Sequence, residues 1–139
     1  MAIDSRSDYG DLGRLLLRLA LGGLILFHGV SKLMAGPGFV QQVVGKSGLP
    51  GFVAYGVYIG EVVAPLLLIA GFWTRAAALV VALNMVFAVL LVHVPQLFTM
   101  APTGGWALEL QGMYFFTAVA IALLGAGRFS VGGAGGKWN

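Results

Sequence analysis

Gly56-Val57-Tyr58-Ile59-Gly60-Glu61-Val62-Val63-Ala64-Pro65 lies inside an apolar run that reaches from Phe52 to Trp73. At a helical rise of about 1.5 Å per residue the run is about 33 Å long, enough to cross a hydrocarbon core. Glu61 is the one carboxylate in it. An ionisable side chain at mid-membrane depth costs about 2.5 to 3.5 kcal/mol on insertion scales and is turned toward protein or water. Glu61 therefore needs a partner or a proton, and the polar residues of the remaining chain are the candidates to supply it.

The composition sets the frame for that reading. Of 139 residues, 59% are hydrophobic and 9% charged, and the mean hydropathy is +0.93. A soluble domain has an apolar share near one half and a charged share near one quarter, so an integral membrane protein is expected. The net charge of +3 does not imply a nucleic-acid partner, because the eight basic residues are dispersed along the chain and form no phosphate-binding patch. They read as topology signals. With no cysteine the chain can form neither a disulfide nor a thiolate metal site nor a thiol relay. The two histidines have no paired spacing, so no metal or haem is expected. Redox chemistry would have to come with a ligand or a partner protein.

The expected fold is an all-α integral membrane protein, an antiparallel bundle of four transmembrane helices at about 14–34, 52–72, 76–94 and 106–126. Residues 1–13 form a polar tail, 14–128 a single domain, and the glycine-rich 129–139 a disordered tail. The first helix has the charge pattern of a secretory signal, but no small-x-small site follows at Leu33-Met34-Ala35. Arg14, Arg18, Leu21, Ile25, His28 and Lys32 recur at steps of three and four, placing all four polar groups on one face. Between Ala35 and Gly51 the pattern suggests one or two amphipathic turns at the interface, framed by glycine breaks.

In the second helix Gly56, Gly60 and Ala64 form a small-residue stripe that admits a close neighbour. Tyr58, Glu61 and Pro65 line an adjoining face, and Pro65 denies the Glu61 carbonyl its intrahelical donor. Asn84 falls at the centre of the third helix. His93, nine residues on, is half a revolution away in a regular helix, which by geometry alone makes it an interfacial residue. The fourth helix carries Glu109, Gln111, Tyr114 and Thr117 in its first half and only apolar or small residues afterwards.

Arg6, Arg14, Arg18, Arg75, Arg128 and Lys137 fall on one side of such a bundle, Lys32 and Lys46 on the other. By the positive-inside rule both termini are cytoplasmic. Measured along the helices from that side, Glu61 and Asn84 lie at about 16 and 14 Å, His28 and Tyr114 at about 21 Å, and Lys32, His93, Glu109 and Gln111 at about 25 to 28 Å. The polar groups gather from the midplane outward, which implies a pocket open toward the outer leaflet or the extracytoplasmic face.

Taken together, these residues resemble the DoxX family of small four-helix bacterial membrane proteins. The resemblance is carried by Leu17-Arg18, His28-Gly29 with Lys32, Gly48-Leu49-Pro50, Glu61, Gly71, Thr74-Arg75, His93, Gly104-Gly105-Trp106 with Glu109, and Gly125-Ala126-Gly127-Arg128-Phe129-Ser130. It covers about residues 13–130. The last motif commonly continues with Leu and Asp in the family, whereas here Val131-Gly132 follows. The resemblance implies a multi-pass protein of the bacterial inner membrane, among relatives that include membrane subunits of thiosulfate:quinone oxidoreductase and proteins tied to oxidative stress. It also raises His93, against the helical geometry.

The expected function is binding of a quinone-like or other small redox-active molecule, in support of a membrane oxidoreductase. Glu61 is the proton-handling candidate, and Arg18, His28, Lys32, Tyr58, Asn84, His93, Glu109 and Tyr114 are the ligand-binding candidates. The Glu61 partner is expected among Arg18, His28, Lys32, Asn84 and Tyr114, with His28 and Asn84 favoured by depth. No intrinsic cofactor is expected beyond a bound quinone. The expected partners are the lipid bilayer, a redox protein and a second copy of the chain. The alternative is a non-catalytic scaffold, and less favourably a transporter, since a single four-helix unit shows no inverted repeat.

Overall fold

The structure, a computed structural model, describes residues 5–139, with side chains from Asp8 onward. Residues 1–4 of the expected N-terminal tail, and the Arg6 side chain, lie outside the described residues. Five helices follow one another: α1 (Ser5–Ala35), α2 (Gly38–Lys46), α3 (Gly51–Ala70), α4 (Thr74–Gln96) and α5 (Glu109–Leu124). Among the described residues there is no strand, only an isolated bridge between Met100 and Trp106. α1, α3 and α4 are long and apolar enough to cross a membrane. α5 is apolar but has 16 residues, about 24 Å of helix.

α3 and α4 are not uniform. A turn of π-helix occupies Ile59–Val63 in α3, where the Ala64 amide donates to the Ile59 carbonyl. A second occupies Val89–His93 in α4. Each ends two residues before a proline, Pro65 or Pro95. Proline has no N–H for the carbonyl four residues back and its ring crowds that carbonyl, so a turn widened by one residue accommodates it.

The core lies between α1, α3, α4 and α5 and is built of Leu21, Ile25, Ala64, Leu68, Ala77, Ala78, Val81, Ala82, Ala118 and Ile121. Its alanines let the helices approach closely. The same holds for Gly29 of α1, where any Cβ would collide with the Glu61 carbonyl, and for Gly60 of α3, where it would fall 2.5 Å from Asn84 Cγ.

The structure departs from the sequence reading at the ends of the chain. α1 begins at Ser5 rather than near Arg14, because Asp8 and Asp11 find basic partners: Arg14 donates to Asp11 at 2.6 Å and Arg128 lies 2.5 Å from Asp8. The 129–139 segment, expected to be disordered, lies on the bundle. Asn139 is buried, accepting from the Thr74 amide at 3.2 Å and from Thr74 Oγ1 at 2.9 Å, and the Val131 amide donates to the Ala70 carbonyl. These bonds use the last carbonyls of α3 and the first amides of α4, which no intrahelical partner serves. The fourth apolar helix starts at Glu109, three residues later than expected. Trp106 is held in the preceding turn by its indole N–H, which donates to the Leu97 carbonyl at 2.8 Å.

Candidate functional site

The widened turn of α3 carries Glu61 into the bundle, where it is 4% exposed. Lys32, at the end of α1, places its ammonium 2.6 Å from both carboxylate oxygens. The amide of Asn84 donates to Oε1 at 3.3 Å, an approach possible because residue 60, beside Glu61, is glycine. A buried carboxylate is costly unless paired and hydrogen-bonded, and here it has both. The pair is unequally buried, the Lys32 side chain being 33% exposed and that of Glu61 6%.

One flank of this pair is the wall of a cavity of about 170 Å³, closed by Ile25, His28, Met85, Ala88, His93, Leu110, Gln111 and Tyr114. His28 and Tyr114 meet edge to face with ring centroids 6.2 Å apart. His93 Nδ1 is 3.0 Å from Gln96 Oε1, and Gln111 Nε2 is 3.4 Å from His93 Nε2. The opposite flank, where Asn84 sits, faces a smaller cavity of about 80 Å³ beneath α2, with Phe39, Val40, Val43 and Val44 above it. α2 thus roofs the ion pair on one side.

The geometry sorts the candidates. Lys32 and Asn84 contact Glu61; His28, His93 and Tyr114 share the larger cavity with it. Depth alone favours His28 over Lys32, but a lysine stem reaches several ångströms along the helix toward mid-membrane. Arg18 is not part of the cluster. It is fully buried at the opposite end of the bundle, donating to the Leu68 carbonyl at 3.0 Å, to the Ile69 carbonyl at 3.4 Å and to the Phe129 carbonyl. Arg75 plays the same part for α5, donating to the Ala122 and Leu123 carbonyls at 2.8 and 2.9 Å. Both arginines cap the C-terminus of a neighbouring helix, where unsatisfied carbonyls and the helix dipole favour a cation.

Tyr58 also stays outside the cavity, its hydroxyl 3.4 Å from the Lys32 carbonyl. Glu109 is exposed at the start of α5 and packs back on Gly105. Gln111, absent from the expected ligand set, lines the cavity, and its Oε1 is buried with no hydrogen-bond partner among the described residues. Its position three residues before Tyr114 on one helix face was the available signal. Among the described residues no group of acidic, histidine or cysteine side chains could hold a metal ion.

An all-helical chain with three membrane-length apolar helices and a buried Lys–Glu pair beside a polar cavity is a membrane protein of the small helical-bundle class. Residues 13–94 match the DoxX family, and the chain belongs to it. It is 32% identical over 116 residues to a Bacillus subtilis (strain 168) protein named "Putative oxidoreductase CatD", covering 84% of this chain and 81% of that one. It is 31% identical over 114 residues to an uncharacterized protein of Haemophilus influenzae, covering 80% of this chain and 81% of that one. No solved structure matches it significantly.

Proposed function

We propose that the chain is a redox-associated membrane subunit that binds a quinone-like molecule in the cavity beside Lys32 and Glu61 and exchanges a proton with it through Glu61. The observation that carries this reading is the two-oxygen contact of Lys32 with a buried carboxylate on the wall of a cavity of about 170 Å³. An apolar cavity of about 150 Å³ takes up a benzene, so a single substituted ring suits the space. Reduction of a quinone to a hydroquinone consumes two electrons and two protons. With no cysteine in the sequence to carry a thiol relay, the electrons are assigned to a partner redox protein. Lys32 offsets negative charge growing on a ring oxygen, and Glu61 is the buried group able to take up a proton and hand it on. The naming of the Bacillus subtilis relative as an oxidoreductase supports the same direction.

In the proposed arrangement α1, α3, α4 and α5 all span the bacterial inner membrane with both termini cytoplasmic. The end carrying Arg18, Arg75 and Arg128 faces inward and the Lys32–Glu61 cavity lies in the outer half. A short-chain benzoquinone at a hundredfold excess over its dissociation constant should stabilise the purified protein by about 2.7 kcal/mol. Glu61→Gln should still fold and bind the ring but slow the reduction of the bound quinone by an added chemical reductant and the two-proton uptake coupled to it, read with a pH-indicating dye. Absence of stabilisation by any benzoquinone, with Glu61→Gln behaving as wild type in cells under oxidative challenge, refutes the proposal in favour of a scaffold.

A further inference from the structure

Beside the polar cavity runs a second, larger one of about 320 Å³ between α4 and α5, lined by Val86, Val89, Leu97, Trp106, Phe115 and Phe116 among others. The two cavities share Met85 and Gln111. Apart from Gln111 the groove offers only apolar side chains, the Trp106 indole N–H being already donated to the Leu97 carbonyl. Its rim is open to the hydrocarbon side of the bundle, since Leu90 is 59% and Phe116 68% exposed.

Gln111 stands at the junction of the two cavities. If His93 Nδ1 carries the ring proton and donates it to Gln96 Oε1, Nε2 is left as an acceptor and takes a hydrogen from the Gln111 amide. Gln111 Oε1 then points away from His93, buried and without a partner among the described residues. In this tautomer, turning the amide over would set its oxygen against the Nε2 lone pair, and the amide as placed leaves Oε1 outward. A buried carbonyl oxygen left without a donor is costly, so a ligand that supplies the donor gains affinity there. The site therefore selects a ligand that brings an O–H to this point.

We infer that the two cavities receive one amphipathic molecule, a single hydroxylated ring bearing a hydrocarbon tail, with the ring beside Lys32 and Glu61, a ring hydroxyl donating to Gln111 Oε1, and the tail in the α4/α5 groove. The inference rests on the quinone-like reading and adds to it a hydrocarbon tail and tighter holding of the reduced form, the molecule reaching the site sideways from the hydrocarbon layer. A detached acyl chain would fill the groove but leave Gln111 without its donor.

The test uses the full chain in phospholipid nanodiscs, a hydroquinone carrying a ten-carbon tail with a terminal diazirine, and a fatty acid with the same photoreactive end. Illumination and peptide mapping should place the hydroquinone label on Val89, Leu97 and Phe116, with competition by unlabelled tailed hydroquinone. Gln111→Leu should weaken hydroquinone competition about tenfold while leaving the oxidised quinone nearly unaffected. Equal labelling of the groove by the fatty acid, with no effect of the ring competitor, overturns the inference. Ring binding with label outside the groove also overturns it and leaves the quinone reading standing. Failure of every ring compound to bind overturns both.

Discussion

The unequal burial of the two partners makes the Lys32–Glu61 pair respond unequally to being broken. Removing the lysine strands a carboxylate that is 4% exposed, with only the 3.3 Å bond from Asn84 remaining. Breaking a fully buried pair costs about 3 to 5 kcal/mol. Because a third of the Lys32 side chain is exposed, the pair is not fully buried, and about 2 to 3 kcal/mol is expected for Lys32→Met. Glu61→Gln leaves the opposite orphan, an ammonium on a flexible stem that can turn outward to water or headgroups, and keeps a group that can still bond Asn84. Its cost should stay below about 1 kcal/mol. The double variant replaces the buried ion by a neutral amide and should recover most of the Lys32→Met loss.

The assay is thermal unfolding of the four proteins in one detergent at neutral pH, followed by helical circular dichroism. A loss of 2 to 3 kcal/mol in a chain of this size corresponds to a fall of about 5 to 10 °C. Lys32→Met should show that fall, Glu61→Gln little of it, and the double variant an intermediate or near-normal midpoint. If Glu61→Gln costs as much as Lys32→Met, or if the double variant is less stable than either, the carboxylate is not the stranded partner and the argument from burial fails.

Three further outcomes follow from the packing. Arg18→Met, which strips a cation from three main-chain carbonyls, should cost more than about 3 kcal/mol in the same melts while Arg18→Lys costs less; an equal or negligible loss would contradict the capping role. Gly60→Ala, whose new methyl would sit 2.5 Å from Asn84 Cγ, should cost about 1 to 3 kcal/mol and be relieved in part by Asn84→Ala, a coupling measurable as a double-mutant cycle. Pro65→Ala returns a donor to the Glu61 carbonyl and removes the cause of the π turn, so it should keep or raise the melting temperature while diminishing ligand stabilisation; an unchanged ligand response would refute the link between the proline and the position of Glu61.

Much of this molecule can be read from residue type and spacing. The three membrane-length spans follow from apolar runs, the close approach at Gly60 from a stripe of small residues, and the pairing of Glu61 from the cost of leaving a carboxylate alone in an apolar segment. Arg18 shares a helical face with His28 and Lys32, and periodicity along α1 cannot tell that the ends of that face meet different elements. At the Arg18 end the face meets the last turn of α3 and the backbone near Phe129; at the Lys32 end it meets Glu61. The C-terminal segment misled for a similar reason. Its glycines suggest mobility, yet what holds it is the terminal asparagine bonded to Thr74, a contact across 65 positions of sequence that no local pattern encodes.

His93 gives the clearest physical lesson. In a regular helix nine residues carry it half a revolution from Asn84, away from the site. One extra residue in the turn Val89–His93 shifts the phase by about 100° and brings the imidazole round to the cavity wall. The cause is visible in the sequence as Pro95, just as Pro65 marks the widened turn that presents Glu61. A proline near the end of an apolar span therefore predicts more than a kink. It predicts that polar residues in the preceding turn have been rotated off the face that simple periodicity assigns them, and both such residues in this chain face the same cavity.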